Sequence, residues 1–237
     1  MAKHILIAGF EPFGGDKVNP SEMVTRSLEG ALLSGRPVAA RVIPVETRNI
    51  HERFEQALVA DHPDIVLLLS QFGGRTALSI ERVAVNVLDF DSDNVGVARK
   101  GDVVTRGGPD ARISNFPLEK IVEAWNASGV PGYVSNSAGT FIGNQTLYEM
   151  LGLTEHAIPP ALVGLVHLPY LPAQAVAAGS ESNPSMSFDL MKKGIEVLIE
   201  TVVPWVDQRT PASSSSAPRL GAKPAAWIPR GVKEVER

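Results

Sequence analysis

The residues best suited to chemistry lie at the ends of apolar runs. His167 closes Leu162-Val163-Gly164-Leu165-Val166 and precedes Leu168-Pro169-Tyr170. A histidine at the C-terminal end of a buried strand is either a hydrogen-bonded core residue or a general base facing a crevice. Glu81, in Ser79-Ile80-Glu81-Arg82-Val83, is flanked by apolar positions. On its own it reads as a solvated carboxylate or one paired with a neighbouring arginine. Ser135-Asn136-Ser137-Ala138-Gly139-Thr140 joins an apolar run to a helical pattern beginning near Asn144. Such a turn either displays a nucleophile at a helix N-terminus, where the dipole favours an anion, or is an ordinary capped helix start.

Two further loops face the same way. Gly9-Phe10-Glu11-Pro12-Phe13-Gly14-Gly15 follows the first apolar run and precedes the first helical pattern, where α/β proteins bind ligands. It is not a nucleotide loop, because Gly15-Asp16 stands where a P-loop needs Lys-Ser/Thr and no G-x-G-x-x-G is present. Phe10 and Phe13 either fold back into the core or wall a small neutral ligand, with Asn19 offering polar contacts. Ser70-Gln71-Phe72-Gly73-Gly74-Arg75 leaves the third strand toward that crevice and is by itself a tight turn. His4, His51, His62 and His156 show no ligand spacing, so no metal site and no cofactor are expected.

These loops need a scaffold. Ile5 to Ala8, Val42 to Val45, Ile65 to Leu69, Tyr133-Val134 and Leu162 to Val166 are short apolar runs ending near Gly, Pro, Ser or Asn, which suits strands buried on both faces. Helical spacing fills Ser21 to Leu33, Arg48 to Ala60, Pro117 to Ser128, Asn144 to Leu151 and Ser187 to Val203. The alternation predicts an α/β fold with a mostly parallel sheet covered by helices. Val83, Val85 and Val87 recur at period two, predicting a further strand within Ser79 to Phe90, antiparallel at an edge. Asp91 to Asn115 is polar and glycine-rich, and reads as a long mobile loop of the kind that forms lids. Residues 1–206 read as one domain. Residues 207–237 read as a Ser/Pro/Ala-rich disordered tail, with Trp227-Ile228 its one docking point.

Composition narrows the function. Of 237 residues 44% are hydrophobic, enough for a sizeable core, and the net charge of −4 lacks the basic excess that nucleic acid or anionic lipid selects. No apolar run has the roughly 18–20 residues of a membrane span. Met1 to Phe10 lacks a secretory h-region, which points to the cytoplasm. The chain has no cysteine, so disulfides, thiolate metal sites and thiol nucleophiles are excluded.

Taken together, five stretches in order resemble the type I pyroglutamyl peptidase family, cysteine enzymes that remove an N-terminal 5-oxoproline from peptides. They are Gly9 to Gly15 with Asn19-Pro20-Ser21, Gly73-Gly74-Arg75 with Ser79 to Asn86, Ser135 to Gly139, Val166 to Tyr170, and Pro184 to Ser187. The resemblance implies a three-layer α/β/α hydrolase of the cytoplasm, assembled as a homo-oligomer (dimer or tetramer), acting on peptides with an N-terminal pyroglutamate through a Glu-Cys-His triad. Glu81 and His167 fall on the acid and base positions, the carboxylate fixing the imidazole tautomer and the imidazole activating the nucleophile. Phe10, Phe13 and Phe141 fall where the family packs the flat lactam ring, and Asn19 and Gln71 near its polar edge. Backbone N–H groups at the helix start would bind the oxyanion.

The departure is at the nucleophile. The family reads Ser-x-Ala-Gly and, three residues later, Cys-Asn; here Gly143 takes the cysteine position before Asn144. Glycine has nothing to attack with, and losing a triad nucleophile costs on the order of a million-fold in turnover. Ser137, Thr140 and Thr146 are the nearest hydroxyls in sequence. Ser70 and Phe72 stand where the family carries smaller residues. Three functions follow: a hydrolase of the pyroglutamyl bond, a catalytically silent binder of pyroglutamyl termini or 5-oxoproline, and a scaffold whose crevice is unused.

Overall fold

Runs of apolar residues with no polar interruption bury both faces, and these become the centre of the sheet. The computed structural model describes residues 4–155, 161–179 and 183–208. In chain order its elements are β1 (Ile5–Phe10), α1 (Pro20–Ser27), β2 (Leu32–Leu33), β3 (Arg36–Ile43), α2 (Ile50–Asp61), β4 (Ile65–Gln71), β5 (Leu78–Glu81), β6 (Val83–Val85), β7 (Leu88–Phe90), β8 (Arg99–Asp102), β9 (Ala111–Ile113), α3 (Leu118–Ala127), β10 (Gly132–Ser135), α4 (Ile142–Thr154), β11 (Leu162–Leu168), α5 (Pro172–Ala177) and α6 (Phe188–Gln208). Seven strands form one sheet in the order β10-β5-β11-β4-β1-β3-β2, and every residue of β1, β4 and β11 is buried.

Alternation along these strands feeds two cores. Ile5, Ile7, Ile65, Leu67, Leu69, Leu162 and Val166 pack with α1, α3 and α6, while Leu6, Ala8, Val66, Leu68, Val163 and Leu165 pack with α2 and α4. Three layers, α/β/α, result. Helix ends follow local chemistry. The Asn19 side chain accepts from Ser21 N at 2.9 Å and Pro20 occupies the first turn of α1. His62 ends α2 in the left-handed region at φ 43°, immediately before Pro63.

β1, β3, β4 and β11 run parallel, whereas β5 is antiparallel to β11 and parallel to β10. On that side the antiparallel element has two strands, β5 and β10, with β10 rather than the 79–90 segment at the edge, and at the opposite edge the short β2 runs antiparallel to β3. That segment divides in three: β5 joins the sheet, β6 pairs with β9, and β7 pairs with β8. The stretch 91–115, expected as a loop, thus carries two short strands. It is further pinned by Asp93, whose carboxylate accepts from the backbone N–H of Thr47, Val95 and Val97. α1 stops at Ser27, six residues before the expected end, because Leu32–Leu33 turns back along β3. α6 runs to Gln208, two residues past the expected domain boundary, with Asp207 paired to Arg36 at 2.9 Å. The expected tail beyond it, including Trp227-Ile228, lies outside the described residues.

Candidate active site

One sheet face carries the titratable groups. On β11 the residues Val163 and Leu165 face the α2/α4 layer, and His167 continues that row. Cross-strand register then selects its neighbours: His167 pairs with Ser70 on β4 and with Ser79 on β5. Paired residues on adjacent strands project to the same face, so Ser70, His167, Ser79 and, two residues on, Glu81 share it. Over them lies the start of α4. The space between is a cavity of about 640 Å³, bordered by Phe13, Ser70, Gln71, Phe141, Gly143 and His167.

Glu81 is wholly buried and His167 is 3% exposed. His167 Nδ1 lies 2.7 Å from Glu81 Oε1, and Arg75 Nη1 donates to the same oxygen at 2.6 Å. Glu81 thus has an arginine and an imidazole as partners at one oxygen. Since a carboxylate only accepts, the imidazole proton sits on Nδ1 and the Nε2 lone pair points into the cavity. Burial pushes the His167 pKa below its ordinary 6.5; the Glu81 hydrogen bond and charge oppose this and the Arg75 charge adds to it. At neutral pH the ring is an uncharged base. Phe72 packs edge-on against it with centroids 5.2 Å apart, and Arg75 caps Phe72 at 4.2 Å.

Gly143 faces that base. A Cβ built there would sit 3.2 Å from His167 Nε2, 3.2 Å from Ser70 Oγ and 3.4 Å from Ser70 Cβ. The structure brings Glu81, His167 and Gly143 together at this point. Phe141 caps α4 with extended backbone and no side-chain hydrogen bond, and the first intrahelical donor beyond it is Gln145 N. The N–H groups of Ile142 and Gly143 therefore have no partner among the described residues, as an oxyanion site requires.

The expected ring-binding residues divide. Phe13 and Phe141 line the cavity, 5.6 Å apart, with Phe90 stacked edge-on behind Phe141 at 4.9 Å. Gln71 also lines it together with Asp16, to which its amide donates at 2.8 Å, while Gln174, which does not border the cavity, donates to the Gln71 oxygen at 2.9 Å. Phe10 and Asn19 do not border it. Phe10 ends β1 facing the α2/α4 core, and Asn19 is spent on capping α1 and on Glu11 O, which fixes the first loop's path. Residues 91–115, read as a lid, are likewise absent from the lining.

The hydroxyls nearest in sequence are not the nearest in space. Thr140 donates to Asp89 O and Thr146 to Ile142 O, while Ser137 accepts from Gly139 N. Ser70 is closest to the vacant side-chain position, which sequence spacing could not show because it depends on β4 lying beside β11. Among the described residues no cluster of His, Asp or Glu could hold a metal ion. No helix there is long and apolar enough to cross a membrane.

Fold and site together define a three-layer α/β/α protein with a carboxylate-oriented imidazole facing an uncapped helix start, the arrangement of a nucleophilic hydrolase. The chain belongs to the pyroglutamyl peptidase family, whose model matches residues 3–204. It is 38% identical over 200 residues to pyrrolidone-carboxylate peptidase 1 of Ralstonia nicotianae, covering 84% of this chain and 92% of that one. It is 35% identical over 202 residues to the pyrrolidone-carboxylate peptidase of Pyrococcus furiosus, covering 84% and 97%. A solved mutant of pyrrolidone carboxyl peptidase from P. furiosus superposes with a TM-score of 0.83 at 34% identity, covering 86% of this chain and 99% of that one.

Proposed function

We propose that this chain takes the N-terminal pyroglutamyl residue of a peptide into the cavity and presents its carbonyl for hydrolysis of the pyroglutamyl bond. The lactam ring is flat and uncharged. Phe13 and Phe141 offer it apolar faces, and Asp16 and Gln71, the latter held by Gln174, offer polar contacts at one edge. The observation that carries the reading is the Glu81–His167 pair at 2.7 Å, its free nitrogen aimed at the start of α4. In that pose Glu81 holds the tautomer, His167 moves the proton, and the N–H groups of Ile142 and Gly143 take the charge that develops on the carbonyl oxygen. A cytoplasmic homo-oligomer, dimer or tetramer, belongs to the same reading, and light scattering after gel filtration reports its size.

Gly143 favours a second reading, a silent binder of pyroglutamyl termini. Calorimetry with 5-oxoprolinamide and an assay with pyroglutamyl 4-nitroanilide separate the two. Binding with release of nitroaniline supports the hydrolase, binding alone supports the silent binder, and no binding sinks both.

A further inference from the structure

The cavity has a hydroxyl on the wall opposite the glycine. Ser70 is the register partner of His167 on the adjacent parallel strand, so the two side chains leave the sheet on the same face. Its Oγ lies 3.2 Å from the point where a side chain at residue 143 would begin, and His167 Nε2 lies 3.2 Å from that same point. The residue is buried apart from 8% that opens on the cavity. Among the described residues its hydroxyl makes no hydrogen bond, while those of Thr140, Thr146 and Ser79 are engaged. Thus a nucleophile-sized group is missing on the α4 side of the cavity. A hydroxyl stands on the β4 side of the same space.

We propose that Ser70 is the nucleophile of this chain, working with His167 and Glu81 as a serine triad assembled across β4, β11 and β5. The proposal rests on the cavity being a pyroglutamyl site. Ser70 Oγ forms a bond to the pyroglutamyl carbonyl carbon as its proton passes to His167 Nε2, and the carbonyl oxygen becomes an anion at the N–H groups of Ile142 and Gly143. The carbon–nitrogen bond then breaks as His167 returns the proton to the departing amine, leaving a pyroglutamyl ester on Ser70. Water attacks that ester, giving its proton to His167, and the carbon–Oγ bond breaks as the proton goes back to Ser70. The sum is one water consumed, one peptide and one 5-oxoproline released. Rotation about the Ser70 Cα–Cβ bond moves Oγ within the cavity, and a hydrogen bond between nucleophile and base commonly tightens only on substrate binding.

The test uses the full chain and its Ser70→Ala, Ser70→Gly and Ser70→Cys variants with pyroglutamyl 4-nitroanilide, with 5-oxoprolinamide affinity measured in parallel. The parent should release nitroaniline at a rate indifferent to iodoacetamide. Ser70→Ala and Ser70→Gly should each lower kcat by about a thousand-fold or more while 5-oxoprolinamide affinity changes little. Acid-quenched parent should carry the pyroglutamyl group on the peptide containing Ser70, an adduct that a merely space-filling serine would never form. Ser70→Cys should turn over in an iodoacetamide-sensitive manner, because it holds the chain's one thiol. Unchanged turnover in both Ser70→Ala and Ser70→Gly would overturn the proposal, as would a parent that binds 5-oxoprolinamide without any turnover; both leave the cavity reading standing. A parent that does not bind 5-oxoprolinamide overturns the cavity reading and the nucleophile with it.

Discussion

Restoring a thiol at residue 143 should succeed or fail according to what stands at residue 70. The first atom of any side chain added at Gly143 meets Ser70 Oγ at 3.2 Å and Ser70 Cβ at 3.4 Å, so the serine must yield before a sulfur can be seated. Overpacking of this kind costs about 1–3 kcal/mol, which lowers the population of the productive arrangement roughly 5- to 150-fold. Ser70→Gly removes both contacts and leaves only the approach to His167 Nε2, at 3.2 Å, which thiol activation needs. The assay is kcat/KM on pyroglutamyl 4-nitroanilide for Gly143→Cys and for Gly143→Cys combined with Ser70→Gly, each before and after iodoacetamide. The double variant should exceed the single by that 5- to 150-fold, and alkylation should abolish both. Equal or greater turnover by the single variant would refute the argument that Ser70 fills the thiol's space. No iodoacetamide-sensitive turnover in either variant would refute the claim that Glu81 and His167 form a working pair. Denaturation midpoints of both variants separate a folding defect from a catalytic one.

The remaining predictions concern protons and packing. Because burial lowers the His167 pKa, the acid limb of the kcat/KM profile should fall below pH 6.5, and a limb at or above that value would contradict a desolvated base. The same shift links to stability: below 6.5 the unfolded chain takes up a proton that the folded chain resists, so this contribution is full above 6.5 and is lost as pH falls toward the lowered native value. The stability gap between the parent and His167→Gln should accordingly shift toward the variant as pH drops from 7.5 to 5.5, and a constant gap would sink the linkage. Glu149 is the opposite case. Burial raises its pKa above 4.5, and its Oε2 has no hydrogen-bond partner. The neutral form's advantage is lost as pH rises through the raised value, so Glu149→Gln should add about 1 kcal/mol at pH 7.5 and little at pH 4; urea titrations at both values decide it. Gly132→Ala should be destabilising, because its Cβ would lie 2.1 Å from Cε3 of the buried Trp125, whose indole N–H is tied to Gly194 O at 2.7 Å. A loss of about 1–3 kcal/mol is expected, and an unchanged melting temperature would show that the indole can move.

Much of the scaffold was legible because its signals are local. β1, β4 and β11 are unbroken apolar runs flanked by turn residues, and burial on both faces leaves such a run few alternatives to a central parallel strand. The stop at His62-Pro63 and the Asn19-Pro20 start are likewise written in adjacent residues. The short elements were not. β8 and β9 are polar and three to four residues long, and they exist as strands because β7 and β6 pair with them. Pairing of that kind leaves no periodicity in either partner alone.

What the chain determined by itself about the site was its inventory: a base at the end of one strand, a carboxylate at the end of another, a small-residue turn before a helix, phenylalanines in the loops, and no thiol anywhere. Which of these meet was decided by tertiary structure. Phe13 and Phe141 reach the cavity while Phe10 is drawn into the core, since a strand's alternation sends its last residue toward α2 and α4. Ser70 stands beside His167 because strand order places β4 next to β11 and register aligns the two residues. Strand order and register arise from contacts between distant segments, and spacing along the chain carries no record of them.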